Sequence, residues 1–232
     1  MVCLSRLVPA NKIAAIRDLG AEVRIVGSSQ DQAMVEVARA VAEEGLAEVP
    51  PFDDAAVIAG QGTLGLEIAQ DLPEVATVLV PLSGGGLAAG VAAAVKGLHP
   101  GARVIGITME RGAAMAASLA GGHPVEVAEQ PSLADSLGGG IGLQNRLTYP
   151  MCRALLDDVL LLTEAEIAAG MRHAYRRARA VIEGAAAVGI GAILAGKVTA
   201  KGPMAVILSG GNVDMNLHLR VMNGADDLGL PT

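Results

Sequence analysis

L-V-P-L-S-G-G-G-L-A-A-G, residues 79–90, decides how this chain is read. An apolar run stops at Ser83, three consecutive glycines follow, and small apolar residues suited to a helix then resume. The pattern predicts a strand over 77–82, a turn over 83–86 and a helix over 87–97. Glycine loses more conformational freedom on folding than any other residue, so three in a row call for a compensating role. Backbone N–H groups of such a turn converge with a helix N-terminus where no side chain intervenes, which suits an anion, most often phosphate. A tight strand-to-helix turn with nothing bound leaves the same pattern, and both readings stand at this point.

Outward from this stretch the chain alternates. Extended apolar segments at 2–4, 23–26, 104–108, 159–162 and 204–208 are separated by amphipathic ones. One predicted helix runs over 9–19 and is closed by Gly20. Ser29 is expected to cap another, whose Met34, Val37 and Val41 share a face; Asp53 is expected to cap a third. Thr163, with Glu166 three residues on, makes a capping box for a fourth. Strands alternating with helices of this length imply an α/β fold with a largely parallel sheet. No repeat, low-complexity tract or linker interrupts it, and the glycines at 138–142 read as a loop within a domain.

Composition narrows the function. A chain of 232 residues that is 52% hydrophobic can bury a substantial core. Its net charge of −7 argues against a nucleic-acid surface, and one Phe with no Trp removes the platforms on which bases stack. The basic run R-H-A-Y-R-R-A-R, residues 172–179, reads as the solvated face of a helix. No run of 18 uncharged apolar residues occurs, and the N-terminus lacks a basic n-region followed by an apolar h-region. No membrane partner is expected, and the cytoplasm is the expected location. Cys3 and Cys152, far apart and without CxxC spacing, read as ordinary buried thiols. His99, His123, His173 and His218 have no metal-ligand spacing, and no metal site is expected.

Which phosphate the loop takes depends on a second element. The absence of a Lys-Ser/Thr ending argues against nucleoside triphosphate hydrolysis. Gly84, Gly86 and Ala89 fit G-x-G-x-x-A, with Glu110 at the end of the next strand, so a dinucleotide is an alternative. After the strand at 204–208, however, comes S-G-G-N-V-D, residues 209–214, a second strand-end hydroxyl beside glycines. A dinucleotide fingerprint does not require it. A small aromatic cofactor with a phosphate at one end and a ring nitrogen at the other uses both.

Here the chain resembles a family. S-G-G-G-L at 83–87 looks like the phosphate loop of fold-type II pyridoxal-phosphate-dependent enzymes, and I-L-S-G-G-N-V-D at 207–214 like their segment near the pyridine nitrogen. L-V-P-A-N-K-I-A-A-I-R-D-L-G-A-E-V (7–23), A-V-I-A-G-Q-G-T-L-G-L-E-I (56–68) and E-G-A-A-A-V-G (183–189) resemble, in order, serine racemase and threonine dehydratase. Residues 109–125, 133–146 and 171–184 look most like hydroxyectoine-utilisation dehydratases. The resemblance implies a tryptophan synthase beta-like fold with open, mostly parallel sheets flanked by helices. Residues 1–51 would be the remainder of a small α/β domain and residues 52–232 most of a large cofactor domain. The implied cofactor is pyridoxal 5'-phosphate, with Ser83, Gly84, Gly85, Gly86 and Leu87 at its phosphate and Ser209 with Gly210 at its ring nitrogen. Ser209 could instead be a helix N-cap. Glu183 either lines the cofactor pocket or complements a helix dipole from the first turn. The implied chemistry is β-elimination from an amino-acid-like substrate: an α-proton is removed, electrons delocalise into the ring and a β-hydroxyl leaves. A homodimer is the family expectation.

The departures bear on activity. The family's Schiff-base lysine segment and its Ser-Gly-Asn-His-Gly-like substrate loop are not found, and the match starts abruptly at M-V-C-L-S, so an N-terminally truncated chain is expected. Lys12, Lys96, Lys197 and Lys201 do not lie in the expected setting, and no catalytic residue is assigned. Relatives that bind a metal place a carboxylate six residues beyond the position of Glu110, where this chain has Ala116. Their A-D-G is A-D-S here, residues 134–136. The expectation is therefore a lyase inactive as an isolated chain. The alternatives are a non-catalytic remnant or binding module that retains the phosphate cradle, and a dinucleotide-binding oxidoreductase.

Overall fold

In a computed structural model of the chain, which describes residues 1–199 and 201–229, the alternating pattern becomes two units, Met1–Pro50 and Pro51–Thr232. In the first, β1 (Val2–Leu4) and β2 (Val23–Ile25) pair in parallel, with α1 (Ala10–Asp18) between them and α2 (Gln30–Glu44) after them. Ser29 caps α2 by accepting the Gln32 N–H at 3.2 Å. Ala33 and Ala40, two turns apart, are the buried residues of α2, and Met34, Val37 and Val41 flank them half-buried. Arg24 on β2 donates to Glu36 and Glu44 of α2, which also receive Arg39. Exposed pairs of this kind contribute little singly, so the alanine seam matters more to the packing of α2.

The second unit is built on a four-stranded, all-parallel sheet in the order β5-β4-β3-β6. Its strands are β3 (Thr77–Pro81), β4 (Arg103–Met109), β5 (Asp158–Leu162) and β6 (Met204–Val206). Side chains alternate across β3: Val78 and Val80 enter one core, Leu79 the other. The first core is covered by α3 (Ala55–Asp71), α4 (Gly86–Leu98), α5 (Ala114–Gly121) and α6 (Thr148–Leu155). The second is covered by α7 (Glu164–His173), α8 (Gly184–Leu194) and α9 (Met215–Met222). Burial of β3 on both faces is what a central parallel strand requires, and it explains the unbroken apolar run in the sequence.

Two local readings need correction. Asp54, not Asp53, caps α3, accepting the Ala56 and Val57 N–H groups at 2.8 and 3.1 Å; Asp53 turns away and receives N–H groups at the start of α6. The Asp54 N–H bonds to the Phe52 carbonyl at 2.9 Å in a tight turn just before α3, and the two carboxylates go to different helices. The basic run is not one solvated helix. α7 ends at His173, residues 174–178 form a wider π-type turn, and Arg179 takes the left-handed conformation at φ +57°. Arg172 is structural there, donating to the carbonyls of Val221 and Ala225 and to Asp226 at 2.6 Å. The Thr163–Glu166 capping box is present as the sequence implies. No helix among the described residues is long and apolar enough to cross a membrane.

With few aromatics, helices meet nearly backbone to backbone. Gly90 of α4 faces α3 so closely that an added Cβ would collide with the Ile58 carbonyl and lie 2.7 Å from the Gly62 nitrogen. Gly97, on the same helix, has nothing within 4 Å of that position. Gly90→Ala is expected to lower unfolding free energy by about 1–3 kcal/mol through overpacking. Gly97→Ala is expected to raise it by about 0.5–1 kcal/mol through helix propensity. Urea denaturation of the two variants measures both.

Asp157 supplies a pH dependence. Burial opposes its charge, but Lys96 at 2.8 Å and the Val104 N–H outweigh that and hold its carboxyl below the usual range. A carboxyl lowered on folding stabilises the fold above its unfolded pKa and loses that contribution as pH falls through the folded value. Thermal unfolding followed between pH 6 and roughly pH 3 should show a shallower acid slope for Asp157→Asn than for the unsubstituted chain.

Candidate functional site

The site follows from where the chain crosses over. From β3 it passes through α4 to β4 on one face of the sheet, and from β5 through α7 and α8 to β6 on the other. β3 and β6 are neighbours, so the loops leaving their carboxyl ends part in opposite directions and open a crevice. β3 ends at Pro81, and α4 starts at Gly86 with Gly85 in the left-handed region at φ +91°, which an L side chain resists. The first N–H groups of α4 lack partners within the helix and carry the positive end of its dipole.

A cavity of about 370 Å³ lies against this loop. Ser83, Gly84, Gly85, Gly86, Leu87, Glu183 and Ser209 all line it, although they come from three segments far apart in the sequence. Gly210 is not in the lining. It abuts Glu183 instead, where a Cβ would stand 2.6 Å from Oε1, and its carbonyl accepts the Glu183 N–H at 3.2 Å. Glu183 is only 9% exposed and sits at the N-cap position of α8. Its carboxylate makes no capping bond; Oε2 accepts the Ser136 hydroxyl at 3.0 Å. Glu183 therefore lines the cavity, and it stands at the N-cap of α8 rather than in its first turn. Asp214, not Ser209, caps α9, so the N-cap reading of Ser209 falls away.

Sequence reasoning missed Phe52 and Gln61, which also line the cavity, and met Ser136 only as the departure from A-D-G. Phe52, the one phenylalanine of the chain, packs on the glycines: a Cβ at Gly84 would collide with its ring, and one at Gly86 would come 3.1 Å from its Cβ. Its singularity was the available signal. Gln61 lay in a quoted segment, and its place on α3 becomes informative only once α3 and α4 are packed. Among the described residues the lining contains no lysine or arginine. Lys96 is paired with Asp157, and Lys197 binds Glu166 at 2.6 Å and the Leu161 carbonyl at 2.8 Å. Glu110, the acid of the dinucleotide alternative, lies outside the lining.

Comparison with known proteins decides between the cofactors. The model of the family described as "Pyridoxal-phosphate dependent enzyme" matches residues 1–210. The chain belongs to the pyridoxal-phosphate-dependent enzyme family. A relative from Sinorhizobium fredii (strain NBRC 101917 / NGR234), named "Putative threonine dehydratase", is 66% identical over 224 residues, covering 96% of this chain and 68% of the relative. The L-threonine ammonia-lyase of Thermotoga maritima is 40% identical over 223 residues, 96% of this chain and 55% of that one. Maize serine racemase superposes with a TM-score of 0.83 at 30% identity, over 94% of this chain and 68% of the other. The chain thus spans from about half to about two thirds of the length of the curated relatives it matches. Pyridoxal phosphate replaces the dinucleotide as the ligand to be tested against the cavity.

The residues present fit that group. The volume suits a small cofactor, and one wall is bare glycine backbone at a helix N-terminus. The protein fills the other sides of the loop, since a Cβ at Gly85 would lie 2.8 Å from Met115 Cε and 3.0 Å from Cys152 Sγ and Thr148 Cβ. With no cation in the described lining, a phosphate there would rely on N–H groups, the helix dipole and the Ser83 hydroxyl. Gly84→Ala and Gly85→Ala are expected to weaken pyridoxal phosphate binding by about tenfold or more, since overpacking costs about 1–3 kcal/mol. Equilibrium dialysis measures the loss, with the far-ultraviolet circular dichroism unchanged.

Proposed function

We propose that the cavity at the ends of β3 and β6 binds pyridoxal phosphate for an ammonia-lyase reaction, the removal of a β-hydroxyl and the amino group from a serine- or threonine-like amino acid. The observation that carries this is the meeting of the Ser83–Gly86 backbone and Ser209 in one cavity. Residues 83–87 would hold the phosphate, and Ser209 would meet the ring nitrogen. When bound, the cofactor supplies an electron sink for charge developing at the substrate α-carbon. A serine hydroxyl is neutral and does not enforce a proton on the ring nitrogen as a carboxylate would, which favours elimination over transamination. Ser136 holds the Glu183 carboxylate, while Leu87, Leu137 and Ala185 keep water from the apolar part of the wall.

A hydroxyectoine-derived compound is the narrower substrate candidate, supported by the likeness of residues 109–125, 133–146 and 171–184 to dehydratases of that route. A homodimer is proposed on family resemblance. The second reading, a module that binds the cofactor without turnover, is favoured by one observation: the described lining contains no lysine to attach it.

Titration with pyridoxal phosphate, followed by borohydride and dialysis, tests how the cofactor is held, and turnover separates the two readings. Reversible binding, with the cofactor removed by dialysis after borohydride, is expected of this chain; cofactor retained on a lysine would overturn the non-covalent reading. Release of ammonia and a keto acid from L-threonine or L-serine supports the lyase, and its absence from the loaded chain supports the module. Ser209→Ala is expected to weaken cofactor binding by about two- to tenfold, the loss of one hydrogen bond. A shift in the absorbance maximum of the bound cofactor should accompany it.

A further inference from the structure

Asp53 and Asp54 are adjacent carboxylates that cap different helices. Asp54 serves α3, the helix it precedes. Asp53 accepts the N–H groups of Arg146 at 2.9 Å, Leu147 at 2.8 Å and Thr148 at 2.9 Å, more than ninety residues along the chain. Burial opposes its ionisation, but the N–H groups of Arg146, Thr148 and Leu147 outweigh that and keep its carboxyl below the ordinary range. Asp53 does not line the cavity, yet both of its connections lead to the glycine loop.

On one side Phe52, its chain neighbour, lies against Gly84 and Gly86. On the other, α6 presents Thr148 and Cys152 to Gly85, and the Cys152 thiol donates to the Gly85 carbonyl at 3.8 Å. Cys152 is buried, and burial pushes its thiol up to about 12. The contacts form a closed circuit: Phe52–Asp53, the start of α6, Thr148 and Cys152, Gly85, then Gly84 and Gly86 back to Phe52. Asp53 is the polar link in it.

We propose that Asp53 is a positioning residue of the phosphate cradle, tying the N-terminus of α6 to the Phe52 segment so that the glycine loop is gripped from both sides. It rests on the phosphate reading of residues 83–87 and adds that the loop's shape is set by a carboxylate outside the cavity. Asp54 provides an internal control, being a cap of the same chemistry one residue away that is not part of the circuit.

The test uses the full chain in a Cys3→Ser background, leaving Cys152 as its single thiol. Asp53→Ala, Asp53→Asn and Asp54→Ala are compared with the parent for binding of inorganic phosphate and pyridoxal phosphate, and for the labelling rate of Cys152 by a disulfide reagent. Asp53→Ala is expected to weaken both ligands and speed labelling, each by about tenfold. Asp53→Asn keeps one acceptor oxygen for the Leu147 and Thr148 N–H groups and sets its NH2 against the Arg146 N–H, so it is expected to fall between the parent and Asp53→Ala in both readouts. Asp54→Ala is expected to lower the melting temperature while changing neither readout. Should Asp53→Ala not fold, Asp53→Ser, which reaches fewer N–H groups, replaces it with the same direction expected. Equal behaviour of the Asp53 and Asp54 variants, or unchanged Cys152 labelling on loss of Asp53, would overturn the proposal. If the parent binds neither phosphate, the cofactor reading fails, and the labelling rates alone still decide whether Asp53 holds the loop.

Discussion

The parallel pairing of β3 with β6, Thr77 with Met204, Val78 with Ala205 and Leu79 with Val206, is the constraint on which the site depends. It places the ends of two strands 127 residues apart in sequence side by side. Because the crossovers before and after run on opposite faces of the sheet, a crevice opens at their carboxyl ends. Slipping the register by one residue would turn Leu79 into the core now occupied by Val78 and Val80, and both faces of the sheet are packed against such a change. Hydrophobic burial in β3 thus fixes the position of Ser209 relative to the glycine loop.

Small residues serve this geometry at a second level. α7 approaches α8 at Gly170, where a Cβ would lie 2.5 Å from the Ala187 carbonyl and 2.9 Å from the Gly191 nitrogen. α3 and α4 meet at Gly90 in the same manner. Helices held this closely transmit position faithfully, since little side-chain volume lies between their backbones to absorb a shift. Residues carried by α3 and by the starts of α4 and α8, namely Gln61, Leu87 and Ala185, therefore reach the cavity at fixed offsets from the sheet.

What was legible in the sequence was whatever depends on neighbours along the chain. The buried strand 77–81 and the turn after it, the Thr163–Glu166 box and the Ser29 cap all rest on contacts within a few residues. The second glycine segment was legible by its resemblance to the first, strand-end hydroxyl and all. Tertiary geometry governed the rest. Asp53 and Asp54 have the same side chain, and only the turn at Phe52 tells which helix each caps. The turn at 174–178 is not visible in a run of arginines and alanines, and neither are the bonds of Arg172 to carbonyls at and beyond the C-terminal end of α9. Ser136 and Glu183 are 47 residues apart, and their bond appears only when the segment before α6 is laid against the start of α8.

A glycine loop braced by Phe52 on one side and by Thr148, Met115 and Cys152 on the other has little motion left to surrender when an anion arrives. Its ordering entropy is settled when the protein folds, not when the ligand binds. If the loop holds a phosphate as proposed, association needs no loop closure, and differences in affinity among phosphate esters would fall mainly on their rates of escape. On that proposal the cradle is a fixed receptacle, and selectivity among ligands would come from the rest of the cavity wall.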